Sequence, residues 1–73
     1  MNEEDLKDKA IAYLKSHYGE DTVSMDVQDN GVDEGSGVLH VDCTVNIGGQ
    51  ESDWTKWFTF SDGQVVSMDW RMR

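Results

Sequence analysis

Few residues in this chain have the type and spacing that chemistry asks for. The most suggestive run is Asp26-x-Gln28-x-Asn30-Gly31. It matches the opening of an EF-hand calcium loop, with glycine at the sixth position where that loop turns sharply. The twelfth position should supply a bidentate glutamate, and here it is Gly37. The flanking residues alternate like strands rather than helices, so the run is not an EF-hand. A weaker cation site of another kind stays open, built from Asp26, Asp29, Asp33 and Glu34, whose oxygens are the hard ligands calcium takes. The plainer reading of the same residues is a solvated hairpin loop.

The groups that nucleophilic or acid–base catalysis needs are not arranged for it. His40 and Cys43 lie on one alternating stretch but have opposite parity, so a strand sends them to opposite faces. Cys43 then points inward and behaves as a small, inert hydrophobe. His17 falls near a helix end, where the dipole favours the charged form, and has no second group beside it. Carboxylates such as Asp26 and Asp42 can face each other across strands, but exposed pairs of that kind are common. There is no Gly-x-Ser-x-Gly, P-loop, dinucleotide fingerprint or zinc spacing. The sequence reads as that of a protein that is not an enzyme and carries no cofactor, calcium apart.

Composition narrows the partners. The net charge of −9 on 73 residues argues against nucleic acid, which needs a basic footprint, and against anionic membranes. No Lys or Arg occurs between Lys15 and Lys56, whereas Glu20, Asp21, Asp26, Asp29, Asp33, Glu34, Asp42, Glu51 and Asp53 all fall there. Solubility through self-repulsion accounts for such a distribution, and so does attraction to a basic partner, a divalent cation or a salty medium. No apolar run is long enough to span a bilayer, and the acidic N-terminus shows no signal peptide. The single cysteine fits a reducing compartment. A cytoplasmic protein is therefore expected, although a mature secreted form with an added methionine would look the same. A chain this short makes one domain, over residues 1–73, and buries only about 60–65% of its unfolded surface.

These residues must be positioned by one helix and four strands. Asn2 can cap a helix over about residues 3–18, with Glu3, Glu4 and Asp5 at the end where the dipole favours negative charge. Leu6, Ala10, Tyr13, Leu14, His17 and Tyr18 follow at helical spacing, Ile11 widens the stripe, and Gly19 is a stop. A strand over about 22–28 turns Val23, Met25 and Val27 inward. A second, over 38–47, turns Leu39, Val41, Cys43, Val45 and Ile47 inward. The acidic, glycine-rich segment 29–37 between them reads as a flexible loop.

Residues 53–73 hold every tryptophan and phenylalanine and read as a hairpin of strands 54–60 and 64–72 around Asp62-Gly63. A two-residue loop mixes core and solvent residues on one face. A three-residue loop, Ser61-Asp62-Gly63, pairs Phe60 with Gln64 and Phe58 with Val66. It gathers Trp54, Phe58, Phe60, Val66, Met68, Trp70 and Met72 on one side. Lys56 dissents on that face, and its ammonium is expected to reach water past Trp54 or Phe58. The other face carries Thr55, Trp57, Thr59, Val65, Ser67, Asp69 and Arg71. Trp57 either covers that outer face across the strands or anchors a partner, tryptophan being enriched at binding hot spots. Asp69 and Arg71 beside it complete the candidate partner-binding set.

Helix followed by four strands predicts an α+β fold, one N-terminal amphipathic helix packed on a four-stranded antiparallel β-meander. In outline, and through the helix 6–18 and the closing Phe58-Thr59-Phe60-Ser61-Asp62-Gly63-Gln64-Val65, the chain resembles small PepSY-type modules and, more distantly, cystatin-like folds. It has no inhibitory cystatin-type Gln-x-Val-x-Gly. The resemblance implies a non-catalytic binding or inhibitory module. The function expected is thus an acidic protein-interaction module, or alternatively a weak divalent-cation-binding module. It is expected as a monomer or as a weak homodimer through an edge strand, either 38–47 or the last.

Overall fold

The computed structural model describes residues 2–73. Its first element is α1 (Glu3–Tyr18), and the N-terminal signal works as written. Asp5 N–H donates to Asn2 Oδ1 at 2.9 Å and Asn2 N–H donates back to Asp5 Oδ2 at 3.4 Å, a reciprocal capping box. At the other end Gly19 N–H and Glu20 N–H return to the Lys15 and Leu14 carbonyls, closing the helix. Leu6, Ala10 and Leu14 are buried, while His17 and Tyr18 lie on the surface.

The strands are β1 (Asp21–Asn30), β2 (Gly37–Ile47), β3 (Gln50–Ser61) and β4 (Gln64–Met72), in the order β1-β2-β3-β4 with every pair antiparallel. This is the expected meander with α1 on one face. Leu39, Val41, Cys43 and Val45 of β2, Phe58 and Phe60 of β3 and Met25 of β1 meet Leu6, Ala10 and Leu14 in one core. β2 therefore lies inside the sheet and cannot serve as an edge. The edges are β1 and β4.

Three local readings are corrected. Val23 is 55% exposed, because a bulge between Thr22 and Ser24 leaves it unpaired and breaks the alternation. The β3–β4 turn has two residues, not three. Phe60 pairs with Val65 and Ser61 with Gln64, and Asp62 and Gly63 both take positive φ, at +52° and +77°. That conformation twists the way the strands twist, and Asp-Gly is a preferred pair for it. A bulge in β4 then restores the faces, so that Phe58 meets Met68, Lys56 meets Trp70 and Trp54 meets Met72. Val65 consequently packs on the core and Val66 is 59% exposed, the reverse of the assignment by parity.

The acidic segment is not a loose loop. Asp33 and Ser36 exchange backbone hydrogen bonds of 2.8 and 3.0 Å around a tight turn, Val32 packs on the core, and Gly35 O accepts from Gly63 N–H at 2.9 Å. The β1–β2 connection is thereby fastened to the β3–β4 turn.

Candidate functional site

Among the described residues no other element covers the face of the sheet opposite α1, and the strand register arranges that face in rows. One row runs Asp29, His40, Trp57, Asp69 from β1 to β4, and the next runs Asp26, Asp42, Thr55, Arg71. The three residues expected at a partner surface are thus together: Asp69 is directly opposite Trp57, and Arg71 follows in the adjoining row. Trp57 is half-buried, its indole stacked on the His40 imidazole with centroids 5.1 Å apart and planes 11° from parallel. Thr55 Oγ1 donates to Asp42 Oδ1 at 2.9 Å, and Thr44 Oγ1 donates to Asp53 Oδ1 at 2.7 Å. These bonds hold the two carboxylates against the sheet. Asp26 faces Asp42 directly, a like-charge pair that weakens a sheet.

The four carboxylates considered for a cation do not gather. Asp26 and Asp29 are spread along the open face by a second bulge between Val27 and Asp29. Asp33 is held in the tight turn with Ser36, and Glu34 sits within that turn. Among the described residues no three Asp, Glu, His or Cys side chains stand close enough to hold a metal ion.

On the helix side, a notch of about 190 Å³ opens between Tyr18, Glu20, Trp54, Lys56, Met68 and Trp70. Its floor is an ion pair. Lys56 Nζ donates to Glu20 Oε1 at 2.9 Å, with Lys56 only 1% and Glu20 only 8% exposed. The ammonium also lies 5.2 Å from the Trp54 ring centroid and 5.9 Å from that of Tyr18, within cation–π range. Trp54 meets Trp70 edge to face at 5.6 Å. The expectation that Lys56 reaches water is overturned: its side chain is buried and its charge is neutralised inside by Glu20. The notch is smaller than the roughly 300–1,000 Å³ of ordinary ligand pockets. It can take a side chain, not a substrate of usual size.

Sequence reasoning turned His40 and Asp42 outward and set Asp26 across from Asp42, as the register has them, but it did not join His40 to Trp57 and it missed Glu20 with Lys56 beneath the notch. His40 and Asp42 carried a usable signal, an outward parity on a strand destined for the sheet centre. Lys56 carried one too, since a basic residue on an apolar face needs a carboxylate, but its partner lies 36 positions away. Comparison of the chain with known protein families, characterised proteins and solved structures finds no match. Among the described residues no helix is long and apolar enough to cross a membrane.

Proposed function

We propose that this chain is a non-catalytic interaction module that presents the open face of its sheet, with Trp57 near the centre, to a basic protein partner. The observation that carries the reading is the arrangement around Trp57: a stacked aromatic pair set among Asp29, Asp69, Asp26 and Asp42, with Arg71 in the adjoining row. Tryptophan and arginine are the residues most enriched at binding hot spots, and a carboxylate-rich surround steers cationic partners. The Asp26–Asp42 opposition supports the same reading, because a lysine or arginine from a partner would reduce its cost. The PepSY-like outline of the chain also points to binding rather than catalysis.

Affinity capture on the immobilised chain, with Trp57→Ser and Asp69→Lys run beside it, tests the proposal. A basic protein held by the wild type at low salt and released by either variant supports it. Equal capture by all three discards this face as the contact.

A further inference from the structure

We propose that β4 is the seam of a two-fold homodimer, in which two copies join their sheets antiparallel about Trp70. The two edges of the sheet differ in how they are guarded. β1 carries bulges at Val23 and Gln28 and the carboxylates Asp21, Asp26 and Asp29, the devices that keep an edge from pairing. Past its own bulge, β4 runs regularly from Ser67 to Met72, and it leaves Trp70 58% and Met72 62% exposed. Such an edge is a template for another strand.

A second copy suits this edge better than an unrelated strand because the edge is complementary to itself. Asp69 and Arg71 flank Trp70 and, by alternation, project to the same face. A two-fold axis at Trp70 sets each Asp69 opposite the other copy's Arg71. It also sets Trp70 against Trp70, and Met68, at the rim of the notch, against Met72. Opposite-charge and aromatic cross-strand pairs are the stabilising units of a sheet. Sliding the copies by one step of the side-chain repeat brings Asp69 against Asp69 in one direction and Arg71 against Arg71 in the other, so charge fixes the register. The net charge of −9 opposes self-association, but β4 is where it opposes least. Arg71 and Arg73 both lie at its end, and the acids crowd the opposite half of the sheet. Arg73 is engaged within its own chain, donating to the Trp54 and Cys43 carbonyls, which leaves Arg71 to meet the second copy.

The test is analytical ultracentrifugation of the full chain from micromolar to millimolar concentration, at low and at moderate salt. The mass should rise toward twice that of the chain with concentration, and further when salt screens the net charge. Asp69→Arg and Arg71→Asp each place like charges opposite one another twice per dimer and should raise the dissociation constant about tenfold. The double swap Asp69→Arg with Arg71→Asp restores the pairing and should return it to near the wild-type value. Circular dichroism of each variant verifies the fold. Trp57→Ser, on the open face, should leave the association unchanged, which separates this proposal from the proposed function. A chain that stays monomeric throughout, or one whose association ignores the single reversals, overturns the seam. So does a double swap that fails to restore it, or a β4 edge taken up by an unrelated protein without self-association.

Discussion

Lys56 and Glu20 form an ion pair 2.9 Å long across the junction of helix and sheet, and both are buried. Glu20 directly follows the residue that closes α1, and Lys56 stands in the middle of β3, so the pair ties the end of the helix to the centre of the sheet. Removing one partner strands a charge in an apolar place. Glu20→Ala should cost about 3–5 kcal/mol, a large share of the stability of so small a domain. Replacing both partners, Glu20→Leu with Lys56→Met, removes the charges together and should recover most of that loss. Urea unfolding of the two variants beside the wild type decides it. A Glu20→Ala midpoint equal to the wild type's would mean that the ammonium finds water.

The acidic turn depends on Gly35. A Cβ there would stand 2.7 Å from the Gly63 nitrogen, and the residue holds φ at +81°, which side chains rarely adopt. Gly48 also has positive φ, at +58°, but nothing lies within 4 Å of where its Cβ would be. Gly48→Ala should therefore cost about 1 kcal/mol from backbone strain alone. Gly35→Ala adds a clash with backbone that cannot swing away, and should cost about 2 kcal/mol or more. Thermal melts of the two variants separate strain from contact. Equal melting temperatures would show that the β1–β2 connection does not lean on the β3–β4 turn.

What could be read without the structure follows from how local each signal is. The helix and four of the five residues turned inward on β2, Leu39, Val41, Cys43 and Val45, were legible because period and burial agree within a few residues, whereas Ile47, turned inward by the same alternation, is 51% exposed at the strand end beyond the core. The β3–β4 register was not, because a two-residue turn and a bulge shift the pairing in succession. Together they reproduce most of the inward face expected of a three-residue turn, and the sequence does not mark Val66 as the residue that bulges. Trp57, Asp69 and Arg71 were placed on one face by alternation within a single hairpin. The stack on His40 and the pairing of Lys56 with Glu20 depend on strands and turns far apart in the chain, and no local pattern encodes them.

The Trp57–His40 stack makes a separate prediction. Offset aromatic pairs contribute about 0.5–1.5 kcal/mol beyond the area they bury. A double-mutant cycle with Trp57→Ser and His40→Ala should return a coupling in that range, with each single variant still folded. The result bears on function as well as stability. If Trp57→Ser unfolds the domain, loss of partner capture by that variant says nothing about binding, and Asp69→Lys becomes the informative variant.

Cys43 gives the alkaline limit of the fold. It is 1% exposed, and burial pushes its thiol from an ordinary 9.0 up to about 11, with nearby Lys56 partly offsetting the rise. Tyr13 is raised too, first by burial and then by the adjacent Tyr18 phenol. Between pH 9 and pH 11 the unfolded chain loses the thiol proton that the folded chain still holds. The stabilisation is therefore whole below the ordinary value and disappears as pH rises through the folded one. Urea midpoints should fall across that window, and Cys43→Ala should flatten the fall without abolishing it, since Tyr13 still titrates upward. The same burial makes the native thiol inert to an aromatic disulfide reagent at mildly alkaline pH, with full reaction once urea is added. A native thiol that reacted as fast as the unfolded one would place Cys43 at a surface, and the inner face of β2 would have to be drawn again.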